Sequence, residues 1–438
     1  MSNLEKNDKK LIRAWTFYDW ANSVFPLVIT SAIFPVFYET VTAKVADENG
    51  LINYYGLNLK NDVIYSFTYS FALLIVVFTA PILSGIADVY GNKKTFLRLF
   101  CTLGALSVST LFFFNPNHLE LSMVSLILAT IGFWSSLVYY NSYLPEIATE
   151  DLQDSVSAKG FSMGYLGSSL LLIICILFIN LTKSETFKPV YYCFLMVGAW
   201  WFGFAQYTLK ILPNNKGKSN QLSGKGVLTN GFQEIKKVLS SLKNYPMLKK
   251  FLSSYFFFNM GVQTVMVMAV LFASKEIYWG EGEEASAAKT KTLTLSILLI
   301  QFLGIAGSFL FSKLSKKIGN VKALSLAIFI WIFICVFTYV IVRLPFHFYI
   351  VAAMVGFVMG GIQALSRSTY SKFLPETNDL TSYFSFYDVM EKLGMIVGTL
   401  SFGIISQIFG MRNSVLALIA FFVIGFLLLL RVKQSKSI

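Results

Sequence analysis

The sequence predicts an all-α integral membrane protein, with twelve transmembrane helices in two pseudo-symmetric six-helix bundles and both termini cytoplasmic. Three observations predict this class. The 438 residues are 55% hydrophobic and 13% charged, with 42 Phe, more apolar side chain than a soluble chain can bury. Lys and Arg gather in alternate loops, which orients the spans. The two halves of the chain also repeat one another, which sets the symmetry.

Apolar runs bounded by turn residues place the spans, in order, at 13–38, 62–83, 95–114, 119–142, 160–182, 189–211, 250–273, 291–311, 323–343, 348–366, 383–408 and 413–431. Each is close to the ~20 residues that cross a ~30 Å hydrocarbon layer. The N-terminus, the tail and the loops near 90, 150, 230, 317 and 372 hold most of the 36 Lys and Arg. These segments are therefore cytoplasmic. The net charge of +13 is a topology signal, and nucleic acid drops out as a partner. No cleavable signal is expected, because the first apolar run is too long and carries Asp19 and Pro26.

The longest loop, 213–249, separates an N-terminal bundle, 1–212, from a C-terminal bundle, 250–438. Inside it, GFQEIKKVLSSLK (231–243) puts Phe232, Ile235, Leu239 and Leu242 on one helical face with lysines elsewhere. That suits a helix lying on an anionic membrane surface; a solvated linker helix is the alternative. Cys101, Cys175, Cys193 and Cys335 all lie in apolar runs and read as buried small residues. The two histidines, His118 and His347, are far apart in outer loops, so no metal or other cofactor is expected.

The repeat emerges from in-order matches. Gly91 in VYGNKKTFL pairs with Gly319 in KIGNVKALS at an offset of 228. NPNH (115–118) pairs with LPFH (344–347) at 229, and YLPE (143–146) with FLPE (373–376) at 230. Gly160 and Gly164 pair with Gly394 and Gly398 at 234. A weaker match sets Asp19 against Asn259 at 240. A slow drift of this kind is what loop insertions in a duplicated unit leave behind. Two parallel six-helix repeats place a solute site between the halves.

Charge inside a span costs about 2.5–3.5 kcal/mol at the bilayer centre, so each such residue needs a partner or a wet cavity. Asp19, in RAWTFYDWANSVF, shares a helical face with Asn22 and Ser23. The 383–408 span carries Asp388, Glu391 and Lys392. With Asn141, Asn259, Gln263 and Gln363, these are the candidate substrate or coupling residues. The 323–343 and 413–431 spans are nearly free of charge and read as lipid-facing. Simpler readings stand beside these: Asp19 held at the interface by Arg13 or Lys10, and Asp388–Lys392 as a structural pair. Glu146, Glu376 and Arg367 fall at cytoplasmic span ends and read as gate pairs between the halves.

GFSMG (160–164) fits a hydrolase nucleophile pattern but lacks the strand-turn-helix setting. LSGKG (222–226) lacks the first glycine and the hydroxyl of a phosphate loop. No catalytic constellation is present in the sequence, so an enzyme is not expected.

SGIADVYGNKK (84–94) resembles the signature between helices 2 and 3 of major facilitator transporters. FYDWANSVF (17–25), YNSYLPEIA…VSAKGFSMGYLG (140–167) and GGIQALSRSTYSKFLPE…SFYDVMEKLG (360–394) further resemble the vacuole-effluxer branch, the bacterial relatives of autophagy-related protein 22. The resemblance implies the major facilitator fold and a multi-pass place in a bacterial cytoplasmic membrane. It also brings amino-acid efflux, the activity associated with fungal members. It implies that Asp88 latches the start of the 383–408 helix near Thr381 and Ser382, a carboxylate being favoured at a helix N-terminus. Gly91, Lys93 and Lys94 complete that gate, with the two lysines reaching lipid phosphates. Ser84 replaces the usual glycine four residues before Asp88, and Lys316 stands at the second-half counterpart of Asp88, so no second latch is expected in the other half. The function expected is a monomeric secondary transporter of a small solute, with protons as the candidate coupling ion. A transporter-shaped sensor that binds a ligand without moving it is the alternative.

Overall fold

The computed structural model describes residues 5–182, 188–214 and 227–433. The first span is one unbroken rod in three pieces: α1 (Lys9–Asn22), a π-helical stretch (Phe25–Ile33) and α2 (Phe34–Thr42). The Asp8 side chain caps α1 by accepting the backbone N–H groups of Lys10 and Leu11. Sequence periodicity predicts a plain helix over 13–38. The widening begins where Pro26 brings no N–H to the ladder. Its carbonyl instead accepts the Thr30 and Ser31 hydroxyls at 2.7 and 2.8 Å.

A second departure follows at once. Residues read as loop form a hairpin of β1 (Leu51–Tyr54) and β2 (Leu57–Lys60), paired antiparallel. Tyr55 and Gly56 both have positive φ, 50° and 81°, the two-residue turn that matches strand twist.

The helices then run α3 (Asn61–Tyr90), α4 (Lys93–Thr110), α5 (Leu119–Asn141), the short α6 (Leu144–Ile147), α7 (Glu150–Leu181) and α8 (Pro189–Ile211). The second half supplies α9 (Val227–Ser241), α10 (Pro246–Glu276), α11 (Glu283–Ile318), α12 (Asn320–Val340), α13 (Pro345–Phe373), α14 (Leu380–Phe409) and α15 (Met411–Leu429). Proline opens α8, α10 and α13, where its missing N–H costs nothing. Gly91 ends α3 at φ 67° and Gly319 joins α11 to α12 at φ 88°, backbone that L side chains resist.

Among the described residues, eleven helical stretches are long and apolar enough to cross a membrane. The long helix outside that set, α8, is 23 residues with two Trp and three Tyr, which lower its hydropathy without shortening it. Large apolar side chains line the outside. Phe67, Phe78, Phe329, Phe333, Leu400 and Ile404 are each more than half exposed, the pattern of a lipid-facing surface.

The interior divides into two apolar cores. One runs from Trp15 to Leu212 and takes in Met395; the other runs from Val238 to Val432 and takes in Tyr165. Glycines bring equivalent helices together in each. A Cβ at Gly160 or Gly164 of α7 would run into Asp19 or Ser23 of α1. In the other core, Gly394 and Gly398 of α14 stand against Asn259 and Thr264 of α10.

Residues 215–226, including LSGKG, lie outside the described residues. The predicted linker helix is present as α9, and from the predicted apolar face Leu242, just past its last turn, packs with Val238 against the second core. Among the described residues of α9, Val238 is buried, while Phe232 and Leu239 are exposed. Lys237 pairs with Asp379 at 3.0 Å, and the Ser241 and Tyr383 hydroxyls share a 2.6 Å hydrogen bond.

Candidate functional site

A cavity of about 190 Å³ opens between the two cores. Asp19, Asn22 and Asn141 line it from the first half, and Asn259, Gln263, Gln363 and Glu391 from the second. Asp388 and Lys392 do not line it. They are buried behind its wall, 2% and 0% exposed, where Lys392 pairs with Asp388 and lies 3.9 Å from the Trp134 ring. The packing of α14 on α5 turns that face of the helix away from the open space.

The cavity ends at one buried ion pair. Arg367 of α13 places Nη1 and Nη2 each 3.3 Å from Asp19 Oδ2. The sequence reading had Asp19 at the solute and Arg367 at a gate; the structure joins them. Arg367 also donates from Nη1 to Asn141 Oδ1 at 3.3 Å, from Nε to Ser157 Oγ at 3.0 Å and from Nη2 to the Ser157 carbonyl at 2.9 Å. These contacts occupy all five guanidinium N–H groups. Its plane is packed between the rings of Trp15 and Phe161, 4.7 and 4.2 Å away. Tyr140 adds a hydroxyl to Asp19 Oδ2 at 2.8 Å. Arg13 and Lys10, the sequence-level partners for Asp19, play no part in the pair. Gly160 is what admits Arg367 so close to α1, since a side chain there would fill the space of the ion pair.

On the opposite wall, Glu391 Oε1 accepts from Gln263 Nε2 at 2.8 Å, and Oε2 accepts from Lys392 Nζ at 3.3 Å. Asn259 donates to the Glu391 carbonyl at 3.3 Å. Gln363 accepts the Tyr165 hydroxyl at 2.7 Å, a contact across the two halves.

Two further acids bridge the cores beyond the Asp19–Arg367 pair. Asp88, 1% exposed, lies in the last turn of α3 and caps α14 from outside. Oδ1 accepts Thr381 N–H at 3.2 Å, and Oδ2 accepts Ser382 N–H and Oγ–H at 2.7 Å each. These are free N–H groups of a helix start, where a carboxylate is favoured. The second acid, Asp154 of α7, was missed by the sequence reading. It accepts Lys372 Nζ at 2.8 Å, Ser315 Oγ at 2.7 Å and Asn320 Nδ2 at 2.8 Å. This bridge, like the one at Asp88, draws its acid from the first half. The acid sits in the first turns of α7, and its donors come from α11, α12 and α13. Asp154 lies ahead of the predicted 160–182 span, in a stretch read as loop, so nothing in the sequence singled it out.

The remaining gate residues divide. Lys93 does not reach lipid: it is 0% exposed, pairs with Glu146 at 2.6 Å and lies 3.9 Å from the Tyr143 ring. Lys94, next along the helix, is only half-buried. Glu146 thus pairs within its own half and not across the gap. Glu376 is exposed and forms no ion pair among the described residues. Ser162 of the GFSMG stretch lies inside α7 with its hydroxyl bonded to Ser308 at 2.7 Å, no nucleophile.

Comparison with known proteins settles the family. The family described as vacuole effluxer Atg22 like matches residues 7–438. The chain belongs to that family. It is 29% identical to the uncharacterized MFS-type transporter YxiO of Bacillus subtilis, over 99% of this chain and 97% of that one. It is 22% identical to autophagy-related protein 22 of Coccidioides immitis, over 92% of this chain and 83% of that one. The human organic anion transporter MFSD10 (TETRAN) superposes with a TM-score of 0.70 at 12% identity, over 97% of this chain and all of that one. The fold of this vacuole effluxer-like chain is therefore that of major facilitator transporters, multi-pass and membrane-embedded, and it is not an enzyme.

Proposed function

We propose that this vacuole effluxer-like chain is a secondary active transporter moving a small solute by alternating access, with its two cores as the moving halves. The observation that carries the reading is the set of polar bridges closing one end of the inter-core cavity: Asp19–Arg367, Asp88–Ser382 and Asp154–Lys372. Such bridges exchange for water when a gap opens, so the closed end is one state of a two-state interface.

On this reading α8 completes twelve spans, with the halves at 1–212 and 250–438 and the linker at 213–249 between them. The bridged end and both termini are cytoplasmic, as the Lys and Arg distribution supports, so the cavity opens outward. The protein works as a monomer in a bacterial cytoplasmic membrane, which the end-to-end match to a Bacillus relative supports. Protons are the proposed coupling ion, taken up at Asp19 or Glu391. The family description makes efflux the direction to test, with amino acids among the first solutes.

The test is flux into proteoliposomes under an imposed pH gradient and under an imposed solute gradient. Saturable, gradient-driven flux that Asp19→Asn abolishes or uncouples supports the proposal. Saturable binding without flux under either gradient would make the protein a sensor and overturn it.

A further inference from the structure

The charges around the cavity are not balanced, and the imbalance specifies a ligand. Arg367 is the cation among the described residues that line the space. All five of its N–H groups are committed to Asp19, Asn141 and Ser157. The next cation, Lys392, is 0% exposed and held by Asp388, Glu391 and the Trp134 ring. A carboxylate or phosphate entering this space meets no available positive charge.

A positive group meets the reverse. By formal charge Asp19 and Arg367 cancel, while Asp388 and Glu391 share Lys392, so one carboxylate has no cation of its own. Asp388 is sealed in, but the Glu391 side chain is 18% exposed and lines the cavity. Each Glu391 oxygen takes one protein donor, which leaves lone pairs for a ligand. Tyr255 and Tyr387, stacked at 4.3 Å, line the same wall with Phe258. Aromatic walls hold apolar bodies and attract cations. Two neutral groups are also unspent: Asn22 Nδ2 and Ser366 Oγ line the cavity, are buried to 1% and 2% exposure, and have no partner. They suit an uncharged oxygen on the ligand. A volume of about 190 Å³ is below the ~300–1,000 Å³ of drug-sized sites, so the body is small.

We propose that the cavity selects a small organic monocation, an amine on an apolar or aromatic body, held by Glu391 in preference to a zwitterion or an anion. The proposal deepens the transport reading and rests on it only for the cavity being the solute's site.

The experiment uses purified full-length protein in detergent and two matched triplets. One is phenethylamine, phenylalanine and 3-phenylpropanoate; the other is 3-methylbutylamine, leucine and 4-methylpentanoate. Each is titrated by calorimetry and by thermal unfolding, in NaCl and in KCl. The expected result is an amine that binds at least tenfold more tightly than its zwitterion and anion, with the preference lost in Glu391→Gln and kept in Glu281→Gln, an exposed control. Equal or tighter binding of a zwitterion or anion overturns the proposal, as does binding by no amine. A preference that survives in Glu391→Gln, or a stabilisation that Na⁺ alone reproduces, overturns it too. Leucine carried across a membrane by a protein blind to amines would sink this proposal and leave transport standing. An amine bound but never moved would do the opposite.

Discussion

Asp88→Ala removes the external cap of α14 and tips the protein toward opening of the bridged end. The carboxylate accepts two backbone N–H groups of the helix start and one hydroxyl. Loss of a helix cap costs about 1–2 kcal/mol, and the further bond to Ser382 Oγ about 1 kcal/mol. The sum, about 2–3 kcal/mol, shifts the closed-to-open ratio by about 30- to 150-fold at ~1.4 kcal/mol per tenfold. Spin labels on Tyr90→Cys and Glu376→Cys report the gap, because Tyr90 ends α3, Glu376 lies between α13 and α14, and both positions are exposed. The four native cysteines are buried and stay unlabelled. The distance distribution lengthens in Asp88→Ala, and Asp88→Asn, which keeps one acceptor oxygen, lies between it and the parent. Superimposable distributions in a folded Asp88→Ala protein would refute the cap as a determinant of which end is open.

Gly160→Ala forces a methyl group into the Asp19–Arg367 pair and is expected to cut flux at least tenfold and lower the melting temperature. Gly203→Ala, where open space surrounds the new group, leaves both unchanged. Asp19→Asn and Arg367→Gln each strand a buried charge, at about 3–5 kcal/mol. The double variant recovers much of that loss, whereas additive losses in denaturant unfolding would show that the pair is not coupled. Lys93→Met lowers the melting temperature by breaking the buried pair with Glu146, and Lys94→Met, half-buried one residue on, does not.

The features legible in the sequence are those that local pattern or duplication encodes. The repeat paired Gly160 with Gly394 and Asp19 with Asn259, and in space Gly160 meets Asp19 as Gly394 meets Asn259. Asp88 was legible because a helix start is an anion site wherever it occurs, and Thr381 and Ser382 mark one. Asp19 was legible as an expensive charge in an apolar run, but not its partner, since Arg367 lies 348 residues away. Lys93 and Lys94 look alike in sequence; only the packing of α4 against α6 buries one and leaves the other half in solvent. The same limit applies to Asp388, Glu391 and Lys392. Helical spacing puts them near one another, but which of them faces the cavity depends on how α14 sits against α5.

The three bridges share a polarity. In each, the first half supplies the acid, Asp19, Asp88 or Asp154, and the second half supplies the donors: Arg367, the α14 start, or Lys372 with Ser315 and Asn320. The duplication does not require this. At the Asp154 bridge the acid again comes from the first half, although the repeat counterpart of Asp88 in the second half is Lys316. The consequence is mechanical. Separation of the halves exposes three carboxylates on one face and their donors on the other, and water can satisfy both sets at once. The free energy of opening is then a small difference between buried hydrogen bonds and hydrated ones, not the large cost of parting an apolar core. A difference of a few kcal/mol lies within reach of one bound solute or one added proton. On the alternating-access reading proposed above, these bridges serve an interface that opens and closes, and their burial when closed is what makes each one count.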